Sequence, residues 1–251
     1  MEEYPESLTP AGMVAQVPRR IRAVLGARTV LDTRRACYGW EWPPYPQYYV
    51  PAEDVAPGLL VDEGVDEDRP LGPARRHGVR DGEDVRPGAA WLQTGGRLAG
   101  RVRFRWAAFD GWFEEDERVF VHPRNPYARV DALRSDRTVR VELDGVLLAE
   151  SSSPVVVFET GLPPRFYLPR TAVDLSHLEP SGTVTECPYK GRTSAWWHVR
   201  TGDALHRDLA WCYDFPTRDL LPIAGLVAFF DEKVDVTVDG RRRERPVTPF
   251  S

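Results

Sequence analysis

The sequence predicts a mainly β protein made of two tandem copies of one small domain, with few short helices. Three observations carry that reading. Few stretches sustain the apolar period of an amphipathic helix, while short alternating runs recur between Gly, Pro, Asn and Asp turn signals. The chain also repeats itself: an ungapped offset of 118 positions sets Arg19 on Arg137, Arg22 on Arg140, Leu25 on Leu143 and Glu41 on Glu159. The same offset sets Pro46 on Pro164, Tyr49 on Tyr167, Pro51 on Pro169 and Val55 on Val173.

Taken in order, residues 1–17 carry Pro, Gly and acidic side chains without periodicity and read as an arm of low structural content. The first copy is expected over 18–130. It opens with a hairpin, Ile21 to Leu25 and Arg28 to Leu31 around Gly26-Ala27, and continues through an aromatic-proline stretch holding Trp40, Glu41, Trp42, Tyr45, Tyr48 and Tyr49. Residues 52–90 are dominated by Pro, Gly, Asp, Glu and Arg, as in Val61-Asp62-Glu63-Gly64-Val65-Asp66-Glu67-Asp68, and read as a solvated polar insert. Val102 to Asp110 loosely matches Ile223 to Asp231. The join, Val121-His122-Pro123-Arg124-Asn125-Pro126-Tyr127, follows a short strand that ends before Pro123.

The second copy is expected over 131–241, with 242–251 as a tail. Val139, Val141 and Leu143 alternate with polar residues before Asp144-Gly145, which supplies the positive φ angles of a two-residue hairpin. The apolar strand Val155 to Phe158 ends at Glu159, and an extended segment then carries Tyr167 and Arg170. A second hairpin pairs Ala195 to Arg200 with Leu205 to Tyr213, placing Leu209, Trp211 and Tyr213 on one face. By this reading the first copy resembles the second only at its ends, and it lacks any counterpart of Cys187-Pro188-Tyr189-Lys190-Gly191.

Composition excludes several function classes. A formal charge of −5 over 251 residues offers no basic field for a phosphate backbone, so nucleic acid is not an expected partner. No apolar run is long enough to span a bilayer as a helix, and the acidic start lacks the features of a signal peptide, so no membrane is expected and the location expected is cytoplasmic. Three cysteines without a Cys-x-x-Cys pair fit reduced thiols rather than a disulfide framework or a four-cysteine zinc site. No Gly-x-Gly-x-x-Gly or P-loop fingerprint calls for a nucleotide cofactor. No cofactor is expected.

The candidate site gathers on the turn after Cys187. Lys190 is one of two lysines, with Lys233, in a chain otherwise basic through arginine. A cation near a thiol favours the thiolate that a nucleophile needs, although free cysteines are also among the most buried residue types. Glu159, at the end of an apolar strand, is placed for general acid or base work; its mate Glu41 also suits a structural ion pair with an arginine at a sheet end. Tyr167 and Arg170 offer a hydroxyl and a guanidinium fork to an anionic group, and Trp197 and Trp211 offer flat walls. His122 and Arg124 in the join are further candidates for contacting the ligand. His198 and His206 share one hairpin, but no ligand spacing supports zinc, and no metal is expected.

Phe158-Glu159-Thr160-Gly161-Leu162-Pro163-Pro164-Arg165-Phe166-Tyr167-Leu168-Pro169-Arg170, then Cys187-Pro188-Tyr189-Lys190-Gly191, then Ala210-Trp211-Cys212-Tyr213, then Pro222-Ile223-Ala224-Gly225 resemble the ordered signature of the domain of unknown function 427 family. The join resembles that family's tandem members. The resemblance implies a domain of coiled antiparallel sheets of a tent-like type. Some catalogues give the family a nucleotidyltransferase-like label, but the Gly-Ser pair and spaced aspartates that would hold magnesium for that chemistry are not found here. The function expected is binding of a small anionic molecule in the second copy, with cofactor-independent hydrolysis or group transfer as the reaction class. The alternative is a non-catalytic ligand- or protein-binding module.

Overall fold

Gly26 and Ala27 take φ angles of 56° and 60°, and Asp144 and Gly145 take 51° and 77°, so each copy begins with the two-residue turn whose twist matches a hairpin. The structure is a computed structural model that describes residues 9–248. These divide between Tyr127 and Ala128 into two compact units. Strands dominate both, and the helices among the described residues are short 3-10 segments. None is long and apolar enough to cross a membrane.

In the first unit the strands are β1 (Val14–Gln16), β2 (Ile21–Leu25), β3 (Arg28–Thr33), β4 (Cys37–Gly39), β5 (Gln47–Pro51), β6 (Leu60–Arg69), β7 (Gly72–Asp81), β8 (Asp84–Gln93), β9 (Arg101–Phe104), β10 (Gly111–Glu114) and β11 (Glu117–Val119). A seven-stranded antiparallel sheet has the order β1-β4-β5-β9-β8-β7-β6, and a four-stranded sheet the order β11-β10-β2-β3. Ile21, Ala23 and Leu25 from the small sheet meet Tyr48, Val50, Ala90, Val102 and Phe104 from the large one in the main core.

The second unit carries β12 (Val130–Arg134), β13 (Val139–Leu143), β14 (Val146–Ser151), β15 (Val155–Glu159), β16 (Arg165–Leu168), β17 (Leu178–Ser181), β18 (Glu186–Cys187), β19 (Gly191–Arg192), β20 (Ala195–Thr201), β21 (Ala204–Cys212), β22 (Val227–Phe229), β23 (Asp235–Val238) and β24 (Arg241–Arg242). Its large sheet runs β12-β15-β16-β22-β21-β20-β17 and its small sheet β14-β13-β23-β24. Strand for strand these two sheets repeat the topology of the first unit, and β18 pairs with β19 in a two-stranded ladder that has no counterpart there among the described residues. The repeat reaches fine detail: the first hairpin of each copy shifts register at Ala23 or Val141, and the isolated bridges Leu31–Val55 and Ala149–Val173 lie at the same offset.

Two core clusters lie on opposite faces of the second large sheet. Val156, Phe166, Leu168, Ala210, Val227 and Phe229 pack toward the small sheet. Val155, Val157, Tyr167, Trp196, Trp211, Tyr213 and Ala228 point to the outer face, which Leu220 and Ile223 of a 3-10 segment cover. Alternation of side chains along a strand produces this division.

Three expectations need correction. Val14–Gln16 of the supposed arm pairs with β4 at the sheet edge; residues 1–8 of that arm, and 249–251 of the tail, lie outside the described residues. Leu209 packs with the inner core rather than with Trp211, because Asp208 at φ 51° sits in a bulge that breaks the alternation. The third correction is the largest: residues 52–90 are not a loop. They hold β6 and β7 and the start of β8, the counterparts of β17, β20 and β21, so the copies match through both sheets rather than at their ends, and differ at the β18–β19 turn. The acidic run becomes a strand because its charges are answered across the ladder. Arg75 faces Asp62 and Asp66 at 3.4 and 3.3 Å, and Arg76 binds Glu63 and Glu67 at 2.6 and 3.0 Å. Apolar periodicity is silent about a strand built this way.

Candidate functional site

Glu159 closes β15 on the outer face of the large sheet, in step with Val155 and Val157. The turn between β18 and β19 returns Lys190 to it, and the Lys190 ammonium donates a hydrogen bond to Glu159 Oε2. Both side chains are largely buried. Cys187 Sγ lies 4.0 Å from Lys190 Nζ, and the thiol is half-buried. Behind the pair stand Tyr167 and Tyr213, with Trp211 Nε1 donating to the Tyr167 hydroxyl at 3.4 Å.

The turn is held from outside. Thr217 donates through its backbone N–H to the Lys190 carbonyl at 3.1 Å and through its hydroxyl to the Tyr189 carbonyl. Gly191 takes φ +95°, and a Cβ there would meet the 215–217 backbone and Thr217. Those contacts, at 3.6–3.7 Å, are ordinary, so it is the positive φ of the turn rather than close approach to residues 215–217 that calls for glycine.

Burial works against the Lys190 charge, but Cys187, Glu159 and Tyr167 outweigh it and hold the group above the usual lysine range. Burial likewise pushes the phenols of Tyr167 and Tyr213 upward, the first opposed by Lys190 and the second reinforced by Tyr167, Cys187 and Glu159. At neutral pH the cluster thus holds the Lys190 ammonium between Glu159 and Cys187, backed by two neutral phenols.

Of the expected site residues, Glu159, Lys190, Cys187, Tyr167 and Trp211 come together. Arg170 and Trp197 do not join them. Trp197 packs with the inner core, on the opposite side of the sheet. The Arg170 guanidinium lies 5.7 Å from its ring, donates to Cys212 Sγ at 3.2 Å and pairs with Asp214 at 3.4 Å. The three-residue spacing from Tyr167 to Arg170 spans the end of β16 and the start of a 3-10 turn, which carries the arginine away from the tyrosine. His122 and Arg124 belong to the first unit, where His122 stacks on Tyr45 at 4.0 Å and Arg124 faces Glu117 at 3.8 Å. On the second hairpin, His198 accepts from the Asp208 N–H at 3.0 Å and His206 Nε2 lies 2.9 Å from Asp144.

The first copy shows what the same fold does without the turn. Glu41 accepts from Tyr49 at 2.8 Å and from Arg103 Nε at 3.0 Å, while its second oxygen faces Arg69 at 3.5 Å. Arg69 and Arg103 lie 4.4 and 5.1 Å from the Trp91 ring. The expected arginine partner for Glu41 is therefore present.

A cluster the sequence did not disclose lies beside Trp211. Arg165 binds Glu232 through both terminal nitrogens, at 2.9 and 2.8 Å, and faces Asp231 at 3.3 Å. Burial raises the Asp231 carboxyl to about 6 against the pull of Arg165 and Arg243, whereas Arg165 keeps Glu232 below the usual range despite its own burial. The adjacent acids in Phe230-Asp231-Glu232-Lys233 were the available signal, but nothing local distinguishes them from a solvated turn.

No curated protein sequence matches the chain. The sequence profile of the domain of unknown function 427 matches it twice, over residues 13–115 and 131–240, in the two units just described. The chain belongs to that family, as a tandem member carrying two copies of its domain.

Proposed function

We propose that the second copy binds a small anionic molecule and transforms it by cofactor-independent hydrolysis or group transfer, with Cys187 as nucleophile. The supporting observation is the cluster itself: Cys187 Sγ 4.0 Å from an ammonium that is also bound to Glu159. Lys190 favours the thiolate and meets the anionic part of the ligand; Glu159 moves the proton through its bond to Lys190; Tyr167 and Tyr213 are neutral donors. Trp211 forms part of the wall. Arg170, His122 and Arg124 have no assigned step in this reading.

The test measures p-nitrophenol release from p-nitrophenyl acetate and p-nitrophenyl phosphate, alongside alkylation of Cys187 by iodoacetamide near neutral pH. The wild type is expected to release a burst from one of the esters and to alkylate readily. Cys187→Ala and Glu159→Gln should lose the burst, and Lys190→Ala should slow alkylation roughly tenfold. A Cys187 inert to the two esters and to iodoacetamide in the folded protein removes the nucleophile. What then remains is the non-catalytic reading, which the first copy favours: there the carboxylate is occupied by two arginines.

A further inference from the structure

The Cys187 and Lys190 pair has a second chemistry that holds whether or not the site turns over a substrate. A thiol oxidised to its sulfenic acid carries an electrophilic sulfur, which condenses with a nearby nitrogen or thiol. Lys190 Nζ is 4.0 Å from Cys187 Sγ and bonded to a carboxylate able to take its proton. The half-buried Cys187 is open to a small oxidant, whereas Cys37 and Cys212 are buried. Cys187 pairs with Gly191 in the β18–β19 ladder, and Thr217 fixes the carbonyls of Tyr189 and Lys190, so both reacting side chains are displayed from one anchored turn.

We propose that Cys187 and Lys190 form a reversible covalent redox switch, in which hydrogen peroxide oxidises the thiol and the lysine amine captures it as a sulfenamide. In the first step Sγ takes one peroxide oxygen, the O–O bond breaks, and the other oxygen leaves as water with the thiol proton. In the second, Glu159 accepts one proton from the Lys190 ammonium and the neutral Nζ attacks Sγ. The S–N bond forms as the S–O bond breaks, and the departing hydroxide takes a second proton from Nζ to leave as water. One peroxide removes two electrons from sulfur, and Glu159 returns its proton to solvent. The product removes the lysine charge, dissolves the ion pair with Glu159 and withdraws the thiol from further oxidation; an external thiol reverses it. In the first copy, by contrast, the carboxylate partners are arginines.

Tryptic mapping of the full chain after graded hydrogen peroxide tests this. Trypsin cuts after Arg170, Lys190 and Arg192 in the reduced protein. The expected product is a peptide spanning 171–192, uncut after Lys190 and about 2 Da lighter than its reduced form, which dithiothreitol returns to the cleavable state. Lys190→Ala should instead accumulate sulfenic and then sulfinic acid at Cys187 under the same dose, with circular dichroism confirming the fold of the variant. Cleavage after Lys190 with a dimedone-reactive Cys187 in the wild type, a disulfide from Cys187 to Cys37 or Cys212, or a bridge that retains the peroxide oxygen would each overturn the proposal.

Discussion

Arg103 in the first copy and Ala228 in the second occupy the same point of two equal sheets, with Ala228 four residues beyond where the loose match of 102–110 with 223–231 sets Arg103. Arg103 pairs with Tyr49 on one side and Trp91 on the other, and Ala228 pairs with Tyr167 and Trp211. That exchange explains how each copy charges its outer face. With an arginine in the sheet, Glu41 has its cation from within; with an alanine there, the partner of Glu159 comes from the turn, and a thiol comes with it.

Removing Arg103 should therefore be severe. Glu41 has a side chain only 1% exposed and would keep the Tyr49 hydroxyl at 2.8 Å and, as a cation, Arg69 at 3.5 Å. Breaking a buried pair leaves an uncompensated charge, and Arg103→Ala is expected to cost the first unit about 3–5 kcal/mol in urea unfolding followed by tryptophan fluorescence. The double variant Glu41→Gln with Arg103→Met should recover part of that loss, since no charge is then stranded. A single variant within about 1 kcal/mol of wild type would show that water already reaches the carboxylate.

The repeat, both opening hairpins and the closeness of Cys187 and Lys190 were legible because each depends on local signals: an offset of identical residues, Asp-Gly chemistry, a proline-glycine turn. That Glu159, thirty-one residues before Lys190, meets them was not. The failures share a different cause. The charges of strand β6 are matched by arginines ten or so residues away, so its own composition reads as disorder. Arg170 and Tyr167 are close in sequence, but the strand ends between them and the arginine leaves the face. The Arg165, Asp231 and Glu232 cluster joins residues more than sixty positions apart.

Lys190 has a defined pH signature. Its folded-state pKa is raised, so its contribution to stability is fully present below the ordinary lysine range and is lost only as the pH climbs toward the raised value. The stability difference between wild type and Lys190→Met should then be on the order of 3 kcal/mol and flat from about pH 6 to pH 9. Urea midpoints across that range provide the check. A difference that already decays between about pH 7 and pH 9 would mean the ammonium is not held by Glu159 and Cys187.

Asp231 behaves oppositely. Its carboxyl sits at about 6 in the fold against an ordinary 3.8, so the folded state binds the proton more tightly and gains stability as the pH falls through about 6. The groups facing it are Arg165, Arg243 and Glu232, with Glu244 and Arg245 lining the same shallow hollow. Glu232 is depressed, so its loss falls at lower pH and leaves the window above it to Asp231. The stability of wild type relative to Asp231→Asn should rise by on the order of 1 kcal/mol from about pH 7 to pH 5. A gap independent of pH would place the Asp231 titration elsewhere.

Strand β6 ends the first large sheet, so one row of its backbone groups has no neighbouring strand among the described residues. Asp62, Asp66 and Asp68 are exposed along it, while Glu63 and Glu67 alternate with them and bind Arg76. Surface pairs of this kind contribute little to stability, and Arg75→Ala is expected to cost less than about 1 kcal/mol. Their greater effect is to deny the edge to another strand, because two such edges brought together would place like charges in register. Replacing Asp62, Asp66 and Asp68 together by Thr leaves the inner pairs intact, raises strand propensity and removes that repulsion. The triple variant should self-associate with rising concentration relative to wild type in light scattering, and more so at high salt, where the remaining charges are screened. A mass unchanged from wild type across the same range would show that edge pairing is blocked by something other than this acidic row.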